Sequence, residues 1–227
     1  MAESKKTLTI FSNSVGYTAF NNGVGPDCSY VDCLKNSTNE INGYWTNGLT
    51  ILHIRRMIKQ HLKGSMGSGR SYVILHVGAC ECFTHPPENL LRLGVDYLSQ
   101  WGEDPWFTTY IVPKMVRASK IIAEKMTPEF LPFLTVEEFA YLYNQVLGIC
   151  EGHSVIIMGI SKPNDPNVQR EDQVIDYDGM LKYLSNQYNT HFIDVWNLCK
   201  GEVVDGTHIT KEGHLIINNE IRRIING

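Results

Sequence analysis

The sequence predicts an α/β protein built on a parallel β-sheet with helices on both faces. Two observations indicate this fold class. Apolar runs of strand length recur along the 227 residues, and they are continuous rather than alternating, as in strands covered on both faces. Segments with helical spacing of apolar residues lie between these runs, and strands that alternate with helices favour a three-layer α/β/α arrangement.

Four of the apolar runs are long enough to predict strands. They are Thr7–Phe11, Ser71–Val77, Ser154–Ile160 and His191–Val195. The segment Cys28–Leu34 is a weaker candidate for a fifth strand. A sheet of about five strands is therefore expected.

Three further segments predict helices, because apolar residues recur in them every three or four positions. These segments are Leu49–Leu62, Val174–Tyr188 and Ile209–Ile225. The sequence contains no internal repeat and no low-complexity tail. One domain spanning residues 1–227 is therefore expected.

One long segment, at about residues 83–150, breaks the alternation of strands and helices. It is rich in aromatic residues and much longer than a single crossover connection requires. Helices are predicted within it at Glu88–Gln100, Val112–Lys125 and Val136–Cys150. Two interpretations stay open: an elaborated helical layer on the sheet, or a helical cap that shapes a substrate pocket or forms a homodimer contact.

The composition excludes several classes of partner. Lys and Arg total 20 against 24 Asp and Glu, a net charge of −4 without a basic stripe, so no nucleic-acid partner is expected. No apolar run is long enough to span a bilayer, so no membrane partner is expected. The six cysteines form no Cys-x-x-Cys pair and the N-terminus carries no export signal, which predicts reduced thiols in the cytoplasm and no zinc site.

The segment Asp205-Gly206-Thr207-His208 carries the strongest functional pattern. It lies after an apolar run and before the predicted helix Ile209–Ile225. Residues three positions apart on a helical turn project to the same side, about 5–6 Å apart at Cβ. A carboxylate there can orient an imidazole that takes a proton from a hydroxyl. These would be the orienting residue and the general base of a catalytic triad, which still needs a nucleophile.

The hydroxyl is expected directly after a strand, because active sites of parallel sheets lie outside the carboxyl ends of the strands. The first predicted strand is followed by Ser12-Asn13-Ser14-Val15-Gly16. Ser14 is the candidate nucleophile, with backbone N–H groups at the start of the next helix available to stabilise an oxyanion. The alternative is that Ser12 or Ser14 only caps that helix.

These segments together resemble the SGNH (GDSL-type) hydrolase family. The similarity is strongest at the C-terminus, from His191-Phe192-Ile193-Asp194 through Asp205-Gly206-Thr207-His208 to Gly213-His214. The other three family blocks are matched, in order, by Ser12-Asn13-Ser14 in place of Gly-Asp-Ser, by Gly48 with Thr50 (Gly43 being the alternative), and by Gly78-Ala79-Cys80-Glu81.

The resemblance implies a flavodoxin-like α/β/α domain that hydrolyses or transfers acyl esters without a metal or other cofactor. Ser14 would be the nucleophile, His208 the general base and Asp205 the residue that orients it. The oxyanion- and substrate-binding positions would be Ser14, Gly48, Gly78 and Cys80. The expected substrate is a small O-acyl ester, with O-acetyl groups of carbohydrates as the class suggested by analogy.

Cys80 is the position that departs from the family pattern. The family block is Gly-x-Asn-Asp, and its Asn amide donates to the oxyanion. A thiol is a weaker donor than an amide, and losing one oxyanion donor costs about 10²–10³ in turnover.

Three accounts of this departure are open. The site tolerates a weaker oxyanion hole; Asn89 or His85 supplies a donor instead; or the protein has left ester hydrolysis for acyl transfer, another modified reaction or binding alone. A nucleophilic role for Cys80 is disfavoured, because buried cysteines are usually apolar fillers.

Overall fold

A computed structural model describes residues 6–16, 29–35, 40–46, 48–62, 71–82, 84–85, 131–164, 171–204 and 206–227. The chain divides into two compact units. The first comprises Met1–Cys82 with Leu134–Gly227, and the second comprises Phe83–Phe133.

The described residues form nine strands. In chain order they are β1 (Thr7–Ser12), β2 (Glu40–Trp45), β3 (Ser71–His76), β4 (Thr84–His85), β5 (Leu131–Pro132), β6 (Ser154–Met158), β7 (His191–Ile193), β8 (Val203–Val204) and β9 (His208–Ile209). Five of them make one parallel sheet in the order β2-β1-β3-β6-β7. This order is that of a flavodoxin-like doubly wound sheet, as expected.

Seven helices accompany these strands within the described ranges. They are α1 (Tyr30–Lys35), α2 (Ile51–Leu62), α3 (Ala79–Cys82), α4 (Val136–Ile149), α5 (Glu171–Gln187), α6 (Val195–Leu198) and α7 (Lys211–Asn226). Helix α4 packs between α2 and α5, and α1 packs on α7. The two groups of helices enclose the sheet, which gives the predicted three layers.

The four longer predicted strands are confirmed, with ends that differ by a few residues. The centre of β1, β3 and β6 is fully buried, which explains their continuous apolar sequences. The predicted helices Leu49–Leu62, Val174–Tyr188 and Ile209–Ile225 are confirmed as α2, α5 and α7.

The prediction of a strand at Cys28–Leu34 is wrong, because residues 30–35 form α1. Ser29 caps this helix: the Asp32 N–H donates to the Ser29 hydroxyl at 3.2 Å. Tyr30, Val31 and Leu34 are all buried, at helical spacing. The Ser-x-x-Asp pattern is the helix-start signal that outweighs the strand propensity of Tyr and Val.

The fifth strand is β2, which the sequence pattern missed. It lies at the edge of the sheet and is only partly buried, and it contains Asn42-Gly43, a dipeptide typical of turns. Gly43 has a φ of 122°, and a Cβ at this position would lie 2.0 Å from the Ile10 carbonyl oxygen. The glycine therefore lets the edge strand approach β1 closely rather than turning the chain.

The long segment after β3 is described in part. Helix α4 confirms the prediction at Val136–Cys150, and it belongs to the first unit, where it packs on α2 and α5. In the second unit, β4 and β5 pair antiparallel. The predicted helices at 88–100 and 112–125, and with them the predicted homodimer contact, lie outside the described residues. Among the described helices, none is long and apolar enough to cross a membrane.

Candidate active site

Ser14 lies in a tight turn, Asn13–Gly16, at the carboxyl end of β1. The Asn13 side chain closes the turn, because its Oδ1 accepts a hydrogen bond from the Val15 N–H at 3.0 Å. The Asn13 N–H donates to the carbonyl of His76 at the end of β3, at 3.1 Å. The turn is therefore anchored to the neighbouring strand, and Ser14 is partly exposed on it.

Three loops that follow adjacent strands meet at the Cys80 sulfur. The Asn13 side chain, after β1, and the Gly48 backbone N–H, after β2, each lower the pKa of the Cys80 thiol, which follows β3, through hydrogen bonding. Gly48 has a φ of 69°, a conformation that favours glycine. The structure thus brings Gly48 to this point, whereas the alternative, Gly43, lies within β2.

The Cys80 thiol stays protonated at neutral pH. Burial of the sulfur, aided by the nearby Glu81 carboxylate, raises the pKa of the thiol to about 12, although the two hydrogen bonds act in the opposite direction. Only the thiolate is a strong nucleophile. This agrees with the interpretation of Cys80 as a residue that does not attack the substrate.

Glu81 fastens two of these loops together. The side chain is fully buried, and its two oxygens accept from the Ile51 N–H at 2.5 Å and from the Gly78 N–H at 3.1 Å. The first bond caps α2 just after the Gly48 loop, and the second holds the turn after β3. Because the Gly78 N–H is engaged by Glu81, this amide does not face the Cys80 sulfur as an additional donor.

A buried polar cluster lies beside the Ser14 turn. The Tyr30 hydroxyl donates to Ser12 Oγ at 3.3 Å and lies 3.1 Å from His76 Nδ1. The Tyr30 backbone N–H faces His214 Nδ1 at 3.4 Å. Burial lowers the pKa of His76 to about 3 and that of His214 to about 4, so both rings are neutral at physiological pH.

His208 lies on β9, which pairs with β8 in a short hairpin before α7. The Thr207 hydroxyl lies 3.3 Å from His208 Nδ1, and the Thr207 carbonyl accepts from the Ser161 hydroxyl at 3.0 Å. The charge of His208 also contributes to the lowered pKa of His214, which places the two rings in the same neighbourhood. Asp205, the predicted orienting carboxylate, lies outside the described residues.

Two residues near the site were missed by sequence reasoning. Asn13 stands directly before Ser14, and an Asn that closes a turn through its own side chain is a recognisable signal. Tyr30 carries no such signal, because its partners come from distant parts of the chain. The suggested replacement donors, Asn89 and the His85 side chain, lie outside the described residues.

Comparison with solved structures identifies the fold. A member of the lipolytic G-D-S-L family from Veillonella parvula superposes with a TM-score of 0.61 at 10% identity, covering 97% of this chain and 98% of that one. An acetylxylan esterase from Geobacillus stearothermophilus gives 0.57 at 12% identity, covering 98% and 94%. The chain has the SGNH hydrolase fold.

The same SGNH fold recurs in a psychrotrophic esterase from a Pseudoalteromonas species, with a TM-score of 0.56 at 12% identity over 97% of this chain and 99% of that one. No protein-family model matches the chain, and no curated protein sequence matches it. The resemblance to SGNH hydrolases is therefore confirmed through the fold, at identities too low to carry a substrate across.

Proposed function

We propose that this protein is a serine esterase or deacylase that hydrolyses a small O-acyl ester with Ser14 as the nucleophile. The observation that carries the proposal is the convergence of the Ser14 turn, the Gly48 N–H and Cys80 at one edge of the sheet. This is where a parallel sheet places its active site and where the SGNH fold places its hydrolytic centre.

The reaction proceeds in two steps. The Ser14 hydroxyl attacks the ester carbonyl carbon while His208 takes its proton, and the carbonyl electron pair moves to oxygen to form an oxyanion. The C–O bond to the alcohol then breaks, and His208 returns the proton to that alcohol. Water repeats the sequence on the acyl-enzyme and releases the acid. In this proposal Asp205 orients His208, and the Ser14 and Gly48 N–H groups bind the oxyanion.

The comparisons support a substrate class. Similar solved structures include esterases that act on acetylxylan and acetyl-xylooligosaccharides, which favours an O-acetyl carbohydrate. We also propose a cytoplasmic location, which the sequence supports because its six cysteines form no Cys-x-x-Cys pair.

The test is the Ser14→Ala variant beside wild type on a panel of acyl esters of increasing chain length. We expect turnover to fall by about 10⁴-fold or more, because the nucleophile contributes most of the catalytic rate. A serine-directed phosphonate should label wild type at Ser14 and leave the variant unlabelled, as read by mass spectrometry. Unchanged turnover in the variant would contradict the proposal.

The same panel separates hydrolysis from acyl transfer. Acceptor alcohols are added, and the products are identified. An acylated acceptor as the main product would show that the protein is an acyltransferase that uses the same serine, and not a hydrolase. If wild type shows neither turnover nor phosphonate labelling, the protein would be a binding protein with the SGNH fold and without esterase activity.

A further inference from the structure

We propose that the Ser12 hydroxyl fixes the peptide group between Asn13 and Ser14, so that Ser12 is a positioning residue for the oxyanion site. Tyr30 and His76 hold this hydroxyl in turn. The inference rests on the proposed esterase function, in which the N–H of that peptide group binds the oxyanion. Ser12 stands at the glycine position of the Gly-Asp-Ser pattern that this segment resembles, and glycine has no hydroxyl to offer.

The Ser14 N–H is the donor that the turn leaves available. The Asn13 N–H donates to the His76 carbonyl at 3.1 Å. The Val15 N–H donates to Asn13 Oδ1 at 3.0 Å, and the Gly16 N–H to the Asn13 carbonyl at 3.2 Å. Within the residues that the structure describes, the Ser14 N–H has no protein acceptor. A backbone donor that is unused beside the candidate nucleophile is suited to an oxyanion.

The carbonyl at the other end of the same peptide group is fully engaged. The Asn13 carbonyl accepts from the Ser12 hydroxyl at 3.1 Å and from the Gly16 N–H at 3.2 Å. A carbonyl oxygen has two lone pairs, so these two donors satisfy it and fix the peptide plane. Hydrogen bonds accepted by a carbonyl also polarise the peptide group, which strengthens its N–H as a donor. The Ser12 hydroxyl therefore acts on the Ser14 N–H through this peptide group.

A buried chain of hydrogen bonds holds the Ser12 hydroxyl. Ser12 and His76 are register partners on β1 and β3, so their side chains lie on the same face of the sheet. The Tyr30 hydroxyl donates to Ser12 Oγ at 3.3 Å and lies 3.1 Å from His76 Nδ1. Because Tyr30 has only one hydroxyl proton, His76 Nδ1 is the donor in the second bond. The three side chains are at most 3% exposed, so the chain is in place before substrate binds.

Ser12→Ala tests the role of this hydroxyl. We expect kcat to fall by about tenfold, the worth of one hydrogen bond, with KM within about twofold, because an oxyanion donor acts only in the transition state. The loss should stay below the 10²–10³ of a missing oxyanion donor, because the Ser14 N–H is still present. The rate at which a phosphonate labels Ser14 should fall by a similar factor, since the tetrahedral adduct places an oxygen on the same donor.

Ser185→Ala is the matched control. Ser185 is 1% exposed, and its hydroxyl donates to the Thr190 carbonyl at 3.0 Å, next to the amino end of β7. The same substitution thus removes the same kind of bond at the opposite end of the strands from the site. Thermal unfolding should show comparable destabilisation in the two variants, whereas Ser185→Ala should keep the kcat of wild type. Equal losses of kcat in both folded variants would overturn the inference.

Tyr30→Phe removes the next hydroxyl of the chain and keeps the ring. We expect kcat to fall by a few fold, because Ser12 loses the donor that orients it. In the double variant Ser12→Ala with Tyr30→Phe, kcat should lie within about twofold of Ser12→Ala alone, because both residues act through one carbonyl. Independent, multiplying losses would contradict a single chain. If Ser12→Ala does not fold, an unchanged kcat in folded Tyr30→Phe overturns the inference.

The pH dependence of kcat separates positioning from proton transfer. Its midpoints should be the same in wild type, Ser12→Ala and Tyr30→Phe, because the chain ends at a carbonyl and moves no proton to the reacting atoms. A shifted midpoint would assign the chain to acid–base catalysis instead and overturn the inference.

The outcomes also separate this inference from the proposed function. An active wild type that is labelled at Ser14, with an unaffected, folded Ser12→Ala variant, overturns the role of Ser12 alone. A wild type without ester turnover or phosphonate labelling overturns both.

Discussion

Gly16 closes the Ser14 turn at a place where no side chain fits. A Cβ there would lie 2.1 Å from Ser12 Oγ and 2.6 Å from both His76 Nδ1 and the Tyr30 hydroxyl oxygen. Ser12 stands at the glycine position of the Gly-Asp-Ser pattern that this segment resembles, and its hydroxyl occupies space that the glycine at position 16 leaves open. The two positions therefore share one small volume beside the candidate nucleophile.

Gly16→Ala should destabilise the protein. The new methyl group must displace buried polar groups, so the free energy of unfolding should fall by about 1–3 kcal/mol, as for other overpacked sites. Denaturant unfolding measures the change, and an ester assay should show a parallel loss of kcat because Ser14 belongs to the displaced turn.

Two variants serve as controls for that substitution. Gly179→Ala lies in α5, where a Cβ meets nothing within 4 Å, so it should gain about 0.5–1 kcal/mol in stability from helix propensity. Adding Ser12→Gly to Gly16→Ala removes the closest contact and should restore part of the loss. No difference between Gly16→Ala and Gly179→Ala would contradict the described packing.

At the scale of elements, the buried carboxylate of Glu81 joins two loops that carry the site. Burial raises the pKa of Glu81 from 4.5 to about 7, while the N–H groups of Ile51 and Gly78 limit the rise. Its acceptor role at the start of α2 satisfies an amide that the helix itself leaves unpaired. Ionisation of Glu81 is therefore coupled to the stability of the loops around Gly48 and Cys80.

The coupling predicts a pH-dependent contribution to stability. Between about pH 4.5 and 7 the folded protein holds the Glu81 proton that the unfolded chain has released, so this contribution falls as the pH rises and levels off above the window. The total is at most a few kcal/mol, since one pKa unit corresponds to about 1.4 kcal/mol. The free energy of unfolding of Glu81→Gln, measured from pH 4.5 to 8, should lack this slope.

Subtraction of the two curves isolates Glu81. The lowered pKa values of His76 and His214 act in the opposite direction, since the unfolded chain binds protons that these buried rings refuse below about pH 6.5. These contributions are common to wild type and Glu81→Gln and cancel in the difference. Asp178 provides the control, because burial raises its pKa to about 6. In Asp178→Asn, the free energy of unfolding should still fall between pH 6 and 7, where Glu81 titrates. Parallel curves for wild type and Glu81→Gln would refute the assignment.

At the scale of the whole molecule, α7 joins the two ends of the described chain. Its apolar face, with Ile217, Ile221 and Ile225, is buried beside the sheet. Near its end, the Lys6 ammonium donates to the Ile225 carbonyl at 2.6 Å and to Asn226 Oδ1 at 2.8 Å. The start of the helix follows the hairpin that carries His208, so α7 supports the site at one end and ties the first strand at the other.

Ile221→Ala tests whether this part of α7 stabilises the fold without contributing to the site. The side chain is fully buried on α7, so truncation should cost about 2–5 kcal/mol in unfolding free energy. Below the unfolding transition kcat should stay within about twofold of wild type, because the cavity lies on a part of the helix that carries no site residue.

Leu215→Ala is the matched control for that truncation. This leucine is on the same helix and 42% exposed, and its removal should change stability by roughly 0.5 kcal/mol or less. Equal losses for the two truncations would contradict the described burial of α7. A loss of kcat in Ile221→Ala at a temperature where it is fully folded would contradict the separation of the site from this end of the helix.

Much of the architecture was predictable from local sequence patterns. The four longer strands, the helices α2, α5 and α7, and the position of Ser14 after β1 all follow from periodicity and from the rule that sites lie at strand ends. Two predictions were wrong for a common reason: the strand at Cys28–Leu34, and the absence of a strand where β2 lies. Short-range propensity favoured a strand around Tyr30 and a turn at Asn42-Gly43, and tertiary contacts reversed both.

The sequence by itself determined which residue types were available: a serine after the first strand, the Asp205–His208 pair before the last helix, and a cysteine at the asparagine position of the SGNH pattern that it resembles. Only the tertiary structure decided that Asn13 and Gly48 both act on the pKa of that cysteine, and that Glu81 joins the start of α2 to the turn after β3. The physical reason is that local patterns encode hydrogen bonds and periodicity over a few residues. The meeting of three strand ends depends instead on strand order and register, which the packing of the whole sheet sets.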